Sequence, residues 1–444
     1  MTPAAQAQPQ AAAQAQPQAA SQASPQAAPQ GPSPERGLAG NELWQTFGLE
    51  AALAAALPDL ITLRRHLHAH PELSGQEQQT AALIAGELRA LGWRVREAVG
   101  RTGVLAELGP EGHGVPLVAL RVDMDALPVE ERTGVAWAST RQGLMHACGH
   151  DLHSAVGLGV ARLLAPLADQ LSARIRLLFQ PAEETAEGAA WMVADGAMEG
   201  VDALFGLHVF PSLAVGSIGV RTGSLTAAAG ELEVEVLGEG GHGARPHQST
   251  DAIWIAARVV SGLQEAISRR LDALHPVVVS FGRIEGGKAY NVIADHVRLL
   301  GTVRCLDLEV HARLPGWIED TVQALCQGHG GEARVRYRCI APPVKNDGPL
   351  TQLVAEAACH LLGRDQVIWL EQPSLGAEDF AQLQGDTPAT MFRLGVAGPN
   401  GCTPLHSNSF DPDEGALAVG VKVLSLSLLR WMERQVAAGE GPQP

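Results

Sequence analysis

The chain has 444 residues, 46% of them hydrophobic and 18% charged, and its 32 Lys and Arg against 48 Asp and Glu give a formal net charge of −16. That balance argues against nucleic acid or an anionic membrane surface as the main partner, because both call for a basic face. No apolar run approaches the roughly 18 residues needed to cross a bilayer, and the first residues lack the basic and apolar regions of a secretory signal. The six cysteines are scattered with no CxxC pair, so a reducing, cytoplasmic setting is expected.

Length suggests two or three domains. Residues 1–34 have no charged side chain and are almost entirely Ala, Gln, Pro and Ser, too little apolar area to offset ordering entropy, so residues 1–40 are expected to be a disordered tail. Leu60, Leu63 and Leu67, then Leu83, Ile84, Leu88 and Leu91, recur at helical spacing and predict two helices, separated at His70-Pro71-Glu72. Strands and helices then alternate: GVLAELG and PLVALRVD as strands, Ser154 to Leu164 as a helix, RIRLLFQ as a strand, Gly188 to Asp195 as a helix, ALFGLHVF as a strand. This order predicts a mostly parallel sheet covered on both faces.

The pattern changes after about Leu225. ELEVEVLG alternates as a strand, Asp251 to Leu271 reads as a helix, and VVVSFGRIEG and HVRLLGTVRCL read as strands. A helix from Leu308 to Cys326 and the strand EARVRYRCI complete a βαββαβ unit with its own antiparallel sheet. The expected fold is α/β, with a catalytic domain in two segments (41–224 and 341–437) and an inserted α+β, ferredoxin-like domain (225–340). A helix from Glu414 to Val436 closes the chain.

The densest set of ligand-type residues is Met145-His146-Ala147-Cys148-Gly149-His150-Asp151, with His153 beyond, in a loop after a strand. Such loops are where open α/β sheets place their sites. Thiolate and imidazole suit zinc and similar ions; the same residues also read as a small buried hydrophobe with packing histidines. Glu183-Glu184, in FQPAEE after the strand RIRLLFQ, offers one carboxylate as ligand and one as general base, although such a pair is common on surfaces. His208, in an apolar strand, and His406, in CTPLHSNSF, are each weak signals alone. The glycine-rich GEGGHGARPH carries His242, a candidate donor to a developing oxyanion, and no phosphate-loop signature.

RRHLHAHPELS, LRVDMDALPVEE, MHACGHDLHSA, FQPAEE, GLHVFP, GGHGARPH, GGKAYNVIADHVRLLGTVR, GAEDF and LHSNSF follow one another in this chain. Over residues 45–435 this series resembles the co-catalytic metallopeptidase family of N-acyl-amino-acid amidohydrolases, with its hippurate hydrolases, indole-acetyl-amino-acid hydrolases, aminoacylases and carboxypeptidases. The resemblance implies a zinc-peptidase-like α/β domain carrying a lid domain that mediates dimerisation, as a homodimer or homotetramer. It implies Cys148, His150, Glu184, His208 and His406 as ligands of two divalent ions per subunit, manganese or zinc, with cobalt or nickel also compatible. Glu183 becomes the general base and His242 a donor to the neighbouring subunit's tetrahedral intermediate. Asn291 and Arg304 become the binders of the substrate's carboxylate, and Asp125 the group orienting a ligand imidazole. Asp123 stands where many relatives carry a ligand His, and Ala294 where a Pro is commoner. The implied activity is hydrolysis of the amide of small N-acyl amino acids such as hippurate. The rival readings are a carboxypeptidase or dipeptidase, and a silent binding protein on the same scaffold, which would have lost a ligand or Glu183.

Overall fold

The strand Leu117–Asp123 is apolar over most of its length and buried at every residue, as a strand covered on both faces must be. Its alternation supplies two cores. Val118, Leu120 and Val122 join the larger one with residues of the helices Leu49–Ala69, His150–Leu164, Gly348–Leu362 and Ala416–Gly439. Ala119 joins a second with Met192, Leu204, Phe380 and Met391. The computed structural model describes residues 39–439; the tail expected over residues 1–40 falls, as far as residue 38, outside them.

The strand belongs to an eight-stranded sheet of order Arg94–Val99, Gly103–Leu108, Arg174–Gln180, Leu117–Asp123, Ala203–Ala214, Ala389–Ala397, Ile218–Val220 and Val367–Trp369. The sheet is mixed rather than mostly parallel. Leu117–Asp123 runs parallel to both its neighbours, but Gly103–Leu108 is antiparallel to both of its own. The connection from Val99 to Gly103 is far shorter than the dozen or more residues a parallel crossover needs, so the first two strands must reverse. Arg94–Val99 escapes the sequence pattern because it is an edge strand with mostly exposed or half-exposed residues.

Ala228–Leu237, Val277–Gly286, His296–Cys305 and Glu332–Ala341 form a separate four-stranded antiparallel sheet, ordered Val277, His296, Ala228, Glu332. Alternation along Glu231-Leu232-Glu233-Val234-Glu235-Val236 gives it one apolar face. Leu232, Val234 and Val236 pack there with Ile255, Val259 and Leu263 of the helix Ala252–Arg270 and Ile318 and Val322 of the helix Leu308–Gln327. Asp251 and Asp307 cap those helices by accepting from backbone N–H groups of their first turns. The opposite face is a charge ladder, with Glu231 on Arg338 and Glu233 on Arg298. The fold is thus α/β with an inserted ferredoxin-like unit. Among the described residues, no helix is long and apolar enough to cross a membrane.

Candidate metal centre

The helix expected from Ser154 begins at His150, directly after Gly149, whose φ is +83°. A Cβ there would also lie 2.7 Å from Val209 Cγ2, so both backbone and packing require glycine. The sharp turn sets Cys148 and His150 on one locus, above the carboxyl end of the Leu117–Asp123 strand. The neighbouring strand Arg174–Gln180 leads directly into Glu183 and Glu184. Ala182 lies at φ +50°, and Glu77 holds this turn by accepting from Ala182 N–H at 2.9 Å and from Gly75 N–H at 2.8 Å. His406, at φ +64°, arrives on a distant loop fixed by its N–H donating to the Ala147 carbonyl at 2.8 Å.

The five expected ligands converge. Cys148, His150 and His208 form one group of donors, and Cys148, Glu184 and His406 another, the atoms of each within 4.8 Å of one another; Cys148 belongs to both. His150 Nδ1 faces the Asp125 carbonyl at 3.0 Å and Asp125 Oδ1 at 3.1 Å. Both are acceptors, so Nδ1 carries a proton and Nε2 is the nitrogen turned toward the site. His208 is set the same way by the Val209 carbonyl at 2.8 Å, leaving Nε2 3.6 Å from Cys148 Sγ. Asp125 Oδ2 accepts from Ser74 Oγ at 2.7 Å and from Glu184 N–H at 3.1 Å, so one carboxylate holds two of the expected ligand residues.

Two buried atoms at the centre have no hydrogen-bond partner: His150 Nε2 and Glu184 Oε1, 3.9 Å apart. Leaving such groups unpaired costs roughly 1–3 kcal/mol each. A divalent cation satisfies both, and thiolate, imidazole and carboxylate form a donor set for zinc or manganese-type ions. Burial pushes the Cys148 thiol up and His208 down. A neutral imidazole is the ligating form, and a coordinating cation deprotonates a thiol outright. Burial, then the charges of Glu378 and Asp379, push Glu183 well above the usual carboxylate range. Its Oε2 lies 3.9 Å from His150 Nε2.

Beneath this cluster is a charged network to which the sequence reading gave no role. Arg121, wholly buried, donates to Gln180 Oε1 and to Asp123 Oδ2, both at 2.8 Å, and pairs with Glu378 and Asp379 at 3.1 and 3.2 Å. The signal was present: Arg121 and Asp123 are charges inside an apolar strand, and GAEDF brings two acids. His153 donates from Nδ1 to Asp123 Oδ1 at 2.5 Å and accepts on Nε2 from Val209 N–H at 2.9 Å. Both its nitrogens are engaged in hydrogen bonds, and with Asp123 and His150 it forms a further group of donor atoms within 4.8 Å of one another.

The metal cleft, about 450 Å³, is lined by Cys148, Glu183, Glu184, His208, His406, Phe210, Arg338 and Arg393 among others. His242 and Asn291 are not among its walls. Both are exposed and line a separate pocket of about 390 Å³ beside the two-stranded ribbon Gly241–His242 and Val292–Ile293. Arg304 is half-buried, with Nη1 on Thr302 Oγ1 and the Val303 carbonyl.

A thiolate, imidazole and carboxylate donor set at strand ends, with a buried glutamate beside it, defines a metal-dependent hydrolase. Residues 119–430 match the family described as peptidase family M20/M25/M40, and the chain belongs to it. It is 50% identical over 379 residues, 85% of this chain and 96% of the other, to a protein of Synechocystis sp. described as a probable hydrolase. It is 41% identical over 358 residues, 81% of this chain and 84% of the other, to the N-acetyl-L-cysteine deacetylase of Bacillus subtilis. Among solved structures, the Bacillus subtilis YXEP protein, described as a dinuclear metal binding peptidase of the M20 family, aligns with a TM-score of 0.75 at 35% identity, covering 86% of this chain and 99% of that one.

Proposed function

We propose that this enzyme hydrolyses the amide bond of N-acyl amino acids, hippurate-like compounds included, with Glu183 as general base. The observation that carries this reading is the pair of buried ligand atoms without a hydrogen bond, His150 Nε2 and Glu184 Oε1, the latter 3.5 Å from His406 Nε2, inside a five-residue candidate ligand set with Glu183 alongside. Cys148, His150, Glu184, His208 and His406 would hold two divalent ions, manganese or zinc. Bound there, the ions supply Lewis-acid polarisation of the amide carbonyl and acidify the attacking water. Glu183, desolvated and acid-flanked, takes a proton from that water and returns it to the leaving nitrogen. Asp125 and the Val209 carbonyl hold the two ligand imidazoles in the tautomer that faces the site.

In this reading, residues 225–340 act as a lid, and His242 donates to the developing oxyanion in the cleft of a second copy. Its exposure and its absence from the cleft of its own chain support that placement. Asn291 and Arg304 are the lid residues for the substrate's carboxylate. The six free thiols support a reducing compartment. Short peptides are the second reading, favoured by the peptidase description of the YXEP protein.

The test is amide hydrolysis of hippurate, N-acetyl-methionine, an indole-acetyl amino acid and a dipeptide, metal-free and with added Mn²⁺ or Zn²⁺, beside Glu183→Gln. Metal-dependent turnover of acyl amino acids that disappears in the variant supports the reading. Turnover of the dipeptide alone replaces it with the second, and failure to bind metal removes both.

A further inference from the structure

Four arginines of the described chain are buried: Arg64, Arg121, Arg176 and Arg393. The first three are paired, Arg64 with Asp151 and Glu414, Arg121 with Asp123, Glu378 and Asp379, and Arg176 with Glu107. Arg393 is 6% exposed and forms no hydrogen bond or ion pair with any described residue. A largely buried guanidinium without a protein partner is unfavourable unless solvent or a ligand reaches it. This one is not in the packed interior but on the wall of the metal cleft.

Its placement is set by the sheet. Arg393 lies directly opposite His208 in the parallel pair formed by Ala389–Ala397 and Ala203–Ala214. The Phe210 ring, two residues along the neighbouring strand, lies 5.5 Å from the guanidinium carbon, near enough for a cation–π contact that helps orient the fork. The acidic groups around it are Glu378, Glu183 and Cys148. The last two belong to the donor set and its base, so divalent ions there would cancel much of the countercharge Arg393 senses. The guanidinium fork matches a carboxylate in geometry and charge.

We propose that Arg393 is a specificity-determining residue, whose guanidinium takes a carboxylate of the substrate inside the cleft. It acts in addition to the lid pair, and the inference rests on the amidohydrolase reading above. A carboxylate can reach it from either side of the scissile amide, from the amino acid or from a dicarboxylic acyl group. Either source completes a pair the fold leaves open.

The holoenzyme is assayed on N-acetyl-methionine, N-acetyl-methionine amide and N-succinyl-methionine amide, as wild type, Arg393→Lys and Arg393→Met. Arg393→Met is expected to lower kcat/KM by on the order of 30-fold or more, chiefly through KM, on whichever carboxylate-bearing substrate the wild type prefers. The neutral amide should change by only a few-fold, and Arg393→Lys should fall between. Loss confined to N-acetyl-methionine assigns the amino-acid side, and loss confined to the succinyl compound the acyl side. Equal losses on all three, or no loss, overturn the proposal.

Unfolding of the ligand-free protein gives a readout that a purely structural arginine would move the other way: removing an unpaired buried charge should raise the melting temperature by a few degrees. If the wild type hydrolyses none of the three but turns over hippurate or an indole-acetyl amino acid, the amidohydrolase reading stands; turnover of no acyl amino acid ends it. Arg393 is then judged by calorimetry of N-acetyl-methionine and N-succinyl-methionine amide on Mn²⁺-loaded Glu183→Gln, with and without Arg393→Met. Binding that depends on Arg393 supports the proposal; equal binding, or none, overturns it.

Discussion

Asp125→Asn replaces one atom in a wholly buried hub and tests whether the ligand set is held from outside. The carboxylate accepts from His150 Nδ1–H, Ser74 Oγ–H and Glu184 N–H, whereas an amide has one oxygen and one donor. If the amide oxygen stays on His150, the NH₂ is turned onto Glu184 N–H, donor against donor. If it turns the other way, the NH₂ meets the proton on His150 Nδ1. Either way one buried hydrogen bond is lost and a donor is left unsatisfied, a cost of about 1–3 kcal/mol. The second bond from His150 Nδ1, to the Asp125 carbonyl at 3.0 Å, survives and keeps the tautomer, so the loss should not exceed this range. Expressed as metal affinity that is roughly 10–100-fold, measured by competition of Zn²⁺ or Mn²⁺ against a chromophoric chelator. Ser74→Ala, which leaves both ligand contacts in place, should weaken binding far less. A folded Asp125→Asn protein with unchanged affinity would refute the claim that Asp125 orients the ligands.

Gly149→Ala should lower stability through about 1–2 kcal/mol of left-handed backbone strain plus about 1–3 kcal/mol of overpacking against Val209, and weaken metal binding with it; denaturant unfolding and the same competition assay read both. Exhaustive chelation should abolish turnover and lower the melting temperature, with both restored by added metal. Ions at 100-fold their dissociation constant contribute about 2.7 kcal/mol, and a melting temperature independent of metal would count against the site. His68, although burial disfavours its cation, is held up at about 9 from an ordinary 6.5 by Asp151 and Glu131, at 2.8 and 3.1 Å. Because its folded value is raised, its contribution, on the order of 3 kcal/mol, is complete below pH 6.5 and fades as pH rises through 9. Unfolding free energies of metal-free wild type and His68→Gln at pH 6 and pH 9.5 should therefore converge at the higher pH; a gap that stays constant refutes the assignment.

The sequence by itself determined the inserted unit. Its strands are half-exposed and its helices amphipathic, so hydrophobic periods of two and 3.6 are written in full: ELEVEVLG is both the strand and its two faces. It also supplied four of the candidate site residues, since Cys148, His150, Glu183 and Glu184 sit in loops after strands, where side chains need not alternate for packing. What escaped it was set by pairing between distant segments. Arg94–Val99 is an edge strand whose exposed charges carry no apolar rhythm, and its antiparallel sense comes from the length of a turn.

Arg121 and Asp379 are 258 residues apart in the chain and meet only because the sheet and a late loop converge. Arg393, in MFRLG, has in sequence the look of a solvated charge on a strand. Burial and the lack of any carboxylate within ion-pair distance, which only the tertiary structure decides, make it an unpaired cation on the cleft wall. His242 illustrates the same physics from the other side: its motif is local, but its distance from the ligand set depends on where the ribbon folds. Composition and period fix which residues can do chemistry; long-range strand order fixes which of them can do it together.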